Sequence, residues 1–162
     1  MGFRPSPNGT YGSKQPANKG IEGLVGRWLV RLARRRRRSV ARNGVLALTT
    51  VGARTGLQRT SPVGYFVDGD GWIIWATAAG AKNHPAWYFN LAADRDSAVI
   101  EVAGRRIPVT ATQLDAGAAD AKMAALLATS NAVMRRRFAG YRAATDRVIP
   151  VIRLSPRVDA PP

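Results

Sequence analysis

Cysteine is absent from the 162 residues, and histidine occurs once. The first absence excludes structural disulfides, thiolate zinc sites, iron–sulfur clusters and a cysteine nucleophile. The second excludes a multi-histidine metal cage within one chain and makes any histidine-based triad depend on His84 alone. No metal site is expected. No run of about 18 apolar residues occurs, so no segment is expected to span a bilayer. There is no GxGxxG after a strand and no phosphate loop ending in GKS or GKT, which removes the usual NAD and ATP sites. Acidic residues are scarce: 10 Asp+Glu face 25 Lys+Arg, for a formal net charge of +15. What survives is a binding module, or an enzyme whose difficult chemistry is carried by a bound organic cofactor.

The chain is 46% hydrophobic, and its length suits one domain with a real core. Its charge is uneven. Residues 1–44 hold 11 of the Lys+Arg and one of the acids, a basic arm suited to phosphate-rich surfaces. Residues 1–20 are rich in Pro, Gly, Ser and Asn without apolar periodicity and are expected to be a disordered tail. Within residues 21–44, Ile21, Leu24, Val25, Trp28, Leu29 and Leu32 recur at helical spacing, with Arg27, Arg31 and Arg34 to Arg38 off that stripe. This basic amphipathic helix either packs on the domain with a solvated face or lies on an anionic membrane, where each basic residue contributes roughly 1 kcal/mol. Nucleic acid is not expected as a partner, because no recognition helix or stacking platform accompanies the arginines.

Residues 45–155 read as the folded domain and 156–162 as a frayed tail. Strands are expected at Val45–Val51, Thr60–Val67, Trp72–Thr77, Val99–Val102, Ile107–Thr112 and Val148–Leu154. Asp68-Gly69-Asp70-Gly71 marks a hairpin. Helices are expected from Pro85 to Ala93, Ala116 to Thr129 and Asn131 to Tyr141. Short antiparallel strands with inserted helices predict an α+β fold built on a small barrel.

Three segments gather polar and small residues. Thr50 to Pro62 sets Arg54 and Arg59 around a glycine turn, suited either to a phosphate or carboxylate tail or simply to solvent. Ala76 to Leu91 ends a strand in small residues, which lets a flat ring approach the backbone, and then starts a helix. Here His84 reads as a residue preceding the helix, and Trp87 and Tyr88 read as core. Phe138 to Pro150 places aromatics on one helix face, and its Asp146-Arg147 pair looks structural.

Together the pieces TTxGxxTGxxRxxP, DGDGW, GAxxHPAWYxNL and YxxxTDRxIPV, in that order over Val45 to Leu154, resemble the deazaflavin-dependent nitroreductase family, which includes quinone reductases using coenzyme F420. The resemblance implies a split β-barrel of the FMN-binding type that holds the deazaflavin in a groove. It implies hydride transfer to a quinone or another electrophile such as a nitro compound. By that likeness Arg54, Thr55, Gly56 and Arg59, with Thr60, Ser61 and Pro62, hold the cofactor's phosphate and glutamate tail. Ala76, Thr77 and Ala78 lie along the ring, supported by Ala81, Trp87 and Asn90. Phe138 and Tyr141 line the substrate side, with Thr77 and Tyr141 as catalytic candidates. An FMN-dependent enzyme and a non-catalytic flavin carrier on the same barrel are the alternatives. A cytoplasmic enzyme resting on the inner membrane face through residues 21–38 would meet a prenylated quinone there.

The sequence also departs from the family pattern. Ala53 stands where a basic residue is common, Gln58 where proline is, Thr77 for serine and Ala78 for lysine, while Arg135 and Phe138 occupy tyrosine positions. These departures predict weaker anion binding and favour quinones over nitroimidazoles.

Overall fold

The computed structural model describes residues 3–14, 27, 28, 30, 31 and 43–157. Six antiparallel strands are β1 (Asn43–Val51), β2 (Gln58–Asp68), β3 (Gly71–Trp75), β4 (Val99–Val102), β5 (Arg105–Gln113) and β6 (Val151–Pro156). They close a barrel in the order β1-β2-β3-β6-β5-β4, with β4 returning to pair with β1. Helix α1 (Ala86–Ala93) follows β3, and α2 (Ala116–Ala128) and α3 (Ala132–Ala143) lie between β5 and β6. The expected α+β barrel is what the chain forms.

Alternation along the strands fills two apolar layers. Leu46, Leu48, Val63, Tyr65, Trp72, Ile74, Ile152 and Leu154 point into the barrel, where α1 adds Trp87, Tyr88 and Leu91. The residues between them, Phe66, Ile73, Trp75 and Val151, point outward and are covered by Met123 of α2 and Phe138 of α3. Strand β3 is consequently buried at every position, as expected for a strand covered on both faces. Asp68, at the β2–β3 hairpin, receives Lys122 of α2 at 2.9 Å and also Arg153 of β6.

Two strand boundaries differ from expectation. Strand β3 stops at Trp75 instead of Thr77, because the chain turns left-handed at Ala78 (φ 44°) and Ala79 (φ 54°). Strand β6 begins at Val151 instead of Val148. Proline cannot donate to a ladder, and Pro150 uses its carbonyl to accept from Ala76 N at 3.0 Å.

The larger correction concerns the N-terminal segment. Residues 3–14, expected to be disordered, lie against the domain as an extended strap. Ser6 N donates to Tyr88 Oη at 2.9 Å, Gly9 N to the Lys82 carbonyl and Ser13 N to the Gly80 carbonyl, both at 2.9 Å. Asp146 accepts from Thr10 N at 2.9 Å and from the Thr10 hydroxyl at 2.6 Å. The Phe3 ring packs 5.5 Å from Tyr88. Such a strap needs no apolar period, since donors and acceptors in distant segments hold it.

Most of the expected basic helix at 21–38 lies outside the described residues. Residues 27, 28, 30 and 31 are described and helical, with Trp28 61% exposed. Among the described residues no helix is long and apolar enough to cross a membrane.

Candidate active site

The barrel is unevenly closed. Strand β2 is eleven residues long and β3 only five, and their pairing runs from Asp68↔Gly71 to Tyr65↔Ile74. Beyond that point the first half of β2 pairs with β1 alone. Its other edge, Gln58 to Val63, has no partner strand among the described residues. Proline is tolerated in a strand where an edge is free, and Pro62 lies in this stretch. Arg59, Thr60, Ser61 and Pro62 thus border an open edge just where Ala76, Thr77 and Ala78 leave the sheet.

Alternation divides the first group. Thr50 is paired with Arg59, and Thr49 with Thr60. Thr50 is buried with the barrel interior, so Arg59 and Ser61 take the inward face at the barrel mouth. Thr60 and Pro62 take the outward one, and the Thr60 hydroxyl lies 2.8 Å from that of Thr49.

Between β1 and β2 the chain turns at Gly52–Gly56, closed by Gly56 N to the Gly52 carbonyl at 2.8 Å and Gly52 N to the Leu57 carbonyl at 2.9 Å. Arg54, Thr55, Gly56 and Arg59 are exposed. Neither arginine has an acidic partner among the described residues. Gly56 takes φ 66° over open space. Asn90 of α1 anchors this turn from beneath: its Oδ1 accepts from Ala53 N at 3.0 Å and its Nδ2 donates to Thr50 Oγ1 at 2.9 Å. Asn90 and Trp87 are both buried. Trp87 belongs to the barrel core, so these two residues support the rim from below.

The strand-end segment is built differently. Ala78, Ala79 and Gly80 (φ 76°) form a left-handed 3-10 turn, a conformation that costs about 1–2 kcal/mol at each non-glycine residue. Arg147, only 5% exposed, donates to the carbonyls of Ala76 at 2.8 Å, Thr77 at 2.6 Å and Ala81 at 3.0 Å. Helix α3 closes the other side, with Ala144 and the Tyr141 backbone against Gly80. Tyr141 is half-buried. Phe138 is buried, its ring 4.8 Å from Trp75 and 6.4 Å from Phe66, which makes it a core residue and leaves little of its surface for a ligand.

His84 is 3% exposed. Its Nε2 lies 3.1 Å from the Pro7 carbonyl, and its Nδ1 lies 3.1 Å from Arg147 Nη1. A carbonyl only accepts and a guanidinium only donates, so the ring is neutral with its proton on Nε2. Burial, joined by the Arg147 charge and opposed by the Pro7 hydrogen bond, holds its pKa below the ordinary 6.5. The unfolded chain therefore takes up a proton that the folded chain resists, and stability falls as pH drops below about 6.5. Asp96 and Asp146 are held below their ordinary 3.8 by the hydroxyls of Thr110 and Thr10 and titrate lower still. The melting temperature is accordingly expected to decline between pH 7 and 5, and His84→Gln to flatten that slope. An equal slope in the variant rules out His84 as its source.

A separate cavity of about 300 Å³ is lined by Asn43, Phe66, Val67, Leu126, Thr129 and Ser130. It includes none of the expected site residues. Among the described residues no cluster of His, Cys, Asp or Glu could hold a metal.

The sequence singled out the glycine–arginine turn between β1 and β2 and the small-residue segment after β3 as candidate site segments. It assigned no functional part to Thr50, His84 or Arg147; the TDRxIPV motif was the signal for Arg147.

The chain is similar to known proteins over most of its length. The family profile for F420H(2)-dependent quinone reductase matches residues 29–156. An F420H(2)-dependent quinone reductase of Mycobacterium tuberculosis is 36% identical over 113 residues, which span 69% of this chain and 73% of the relative. A putative F420H(2)-dependent quinone reductase of Mycobacterium bovis matches to the same extent. Among solved structures, an F420-H2 dependent reductase superposes with a TM-score of 0.56 at 26% identity, covering 68% of this chain and 93% of the other. A domain-swapped dimer gives 0.58 at 25% identity, covering 68% and 79%. An uncompensated guanidinium rim beside a turn of small residues, on a barrel of this topology and with these relatives, has one reading: the chain belongs to the F420H(2)-dependent quinone reductase family.

Proposed function

We propose that the chain transfers a hydride from reduced coenzyme F420 to a quinone, at the open edge between the first half of β2 and the Ala76–Ala81 segment. The observation that carries this reading is the donor set on that edge. Arg54 and Arg59 stand exposed without carboxylate partners among the described residues, on a turn whose Gly56 leaves its backbone open. A di- or polyanionic tail is the chemistry such a set fits.

When bound, reduced F420 supplies the hydride. The chain's own residues bind, orient and stabilise. Arg54 and Arg59 take the tail, with the hydroxyls of Thr55 on the turn and Ser61 on the Arg59 face, while Thr60, bonded to Thr49, and Pro62 stiffen the edge from its outward face. Thr77 and Ala78, half-buried, present a surface without bulky side chains to the ring, on a segment whose ends Ala76 and Ala81 are buried, while Trp87 packs in the core below and Asn90 braces the neighbouring turn. The Thr77 hydroxyl and the Tyr141 phenol are our candidates to meet charge developing on the acceptor oxygen, with the phenol also able to donate a proton there. Quinones are the preferred acceptors and nitro compounds secondary ones. The exposed Trp28 between Arg27 and Arg31 supports a basic helix held against anionic lipid, where prenylated quinones reside.

The experiment follows reoxidation of reduced F420 by menadione in solution and by a prenylated quinone in anionic vesicles. Turnover is expected in both, faster with vesicles. Absence of turnover with several quinones, together with absence of F420 binding, removes the reading; binding without turnover makes the protein a carrier. Tyr141→Phe is expected to lower kcat by about 100-fold, the low end of the range for a lost acid or oxyanion donor, while F420 affinity holds. Equal losses in both would reduce Tyr141 to packing.

A further inference from the structure

We propose that Arg147 is a positioning residue for the cofactor floor, and that the N-terminal strap holds Arg147 on target through His84. The inference rests on the reading that Ala76–Ala81 faces the deazaflavin. Four guanidinium N–H groups are directed at acceptors: Nε at the Ala81 carbonyl, Nη2 at the Thr77 carbonyl, and Nη1 at both the Ala76 carbonyl and His84 Nδ1. Three of these acceptors bracket the left-handed turn at Ala78–Gly80. Alanine adopts that conformation at a cost of about 1–2 kcal/mol per residue, and two in succession need groups outside the turn to offset it.

Two layers do so. Arg147 grips the carbonyls before and after the turn from the domain side. The strap covers its Gly80–Lys82 end, where Ser13 N takes the Gly80 carbonyl and Gly9 N takes the Lys82 carbonyl, and leaves Thr77 to Ala79 partly open. His84 joins the layers. Its backbone N–H donates to Asn8 Oδ1 at 3.0 Å, its Nε2–H to the Pro7 carbonyl, and its Nδ1 accepts from Arg147. Asp146, exposed and next to Arg147 in the chain, accepts from the backbone N–H groups of Thr10 and Tyr11 of the strap. A guanidinium is suited to this work because its donors diverge in a rigid fork; a lysine ammonium in its place is a point and cannot span acceptors on three residues of a turn.

The test uses the full chain with Arg147→Lys, which keeps the charge, and Asp146→Ala, which loosens the strap at an exposed position. Amide hydrogen exchange of residues 78–82 is read without cofactor, and oxidised F420 is titrated by its fluorescence. In Arg147→Lys those amides are expected to exchange at least about 10-fold faster, and the Kd for F420 to rise roughly 10-fold. Asp146→Ala should move both in the same direction, about threefold. If Arg147→Lys does not fold, Asp146→Ala alone decides. Faster exchange with an unchanged Kd makes Arg147 merely structural and overturns the proposal, as does an unchanged exchange rate. Wild-type protein that binds no F420 overturns the functional reading beneath it, and that result is visible before any variant is measured.

Discussion

In the double variant Arg54→Ala, Arg59→Ala, affinity for F420 falls on the order of 100-fold while the melting temperature stays where it was. Both side chains are exposed and lack acidic partners among the described residues, so their removal costs the fold little. A hydrogen bond to a charged group contributes about 1.5–3 kcal/mol. At a solvent-washed rim the lower figure applies, and two such losses together approach 3 kcal/mol. Because the interaction is between exposed charges, wild-type affinity should also weaken as salt is raised, and the double variant should lose most of that dependence. Isothermal titration at two ionic strengths checks both. Unchanged affinity in the variant would move the anion site elsewhere.

Gly80→Ala is expected to lower stability by about 3 kcal/mol, combining a left-handed penalty of about 1–2 kcal/mol with overpacking of about 1–3 kcal/mol. For a chain of this size that is roughly a 10 °C drop in melting temperature. The added Cβ would sit 2.7 Å from Ala144 Cβ and 3.2 Å from the Tyr141 carbonyl. Neither neighbour is a flexible tip that can swing aside, so α3 itself must shift. Gly56→Ala is the control. Its φ of 66° brings a similar backbone penalty, but nothing lies within 4 Å of the new atom, and the loss should be about 1 kcal/mol. Thermal melts separate the two. Equal drops would mean that backbone handedness alone matters and that the Gly80 contact with α3 does not.

The barrel could be read in the sequence because most of its strands alternate and its β2–β3 hairpin carries two Asp-Gly steps. Val45–Val51 and Val99–Val102 formed close to where they were expected. The basic turn was legible too, since glycines and arginines between strands advertise themselves. The strap was not. Its composition is that of a linker, and the groups that hold it, such as Tyr88, His84 and Asp146, lie 76 to 136 residues away in sequence. Nor was the left-handed turn legible at Ala78 and Ala79, because alanine gives no sign of positive φ. That geometry is imposed by Arg147, whose partners are backbone carbonyls 66 to 71 positions away. Asn90 was expected near the ring, yet its hydrogen bonds run to Thr50 and Ala53 of the neighbouring loop. A polar residue inside a short helix does not disclose which segment will fold over it.

The bond between Thr10 and Asp146 spans 136 positions. On a ribosome the earlier-made of these residues must wait, tethered and undocked, until Asp146 has been synthesised. Docking of this segment is therefore a late event in maturation, and translation stalled before residue 146 would leave it unattached beside a barrel that still lacks β6 between β3 and β5.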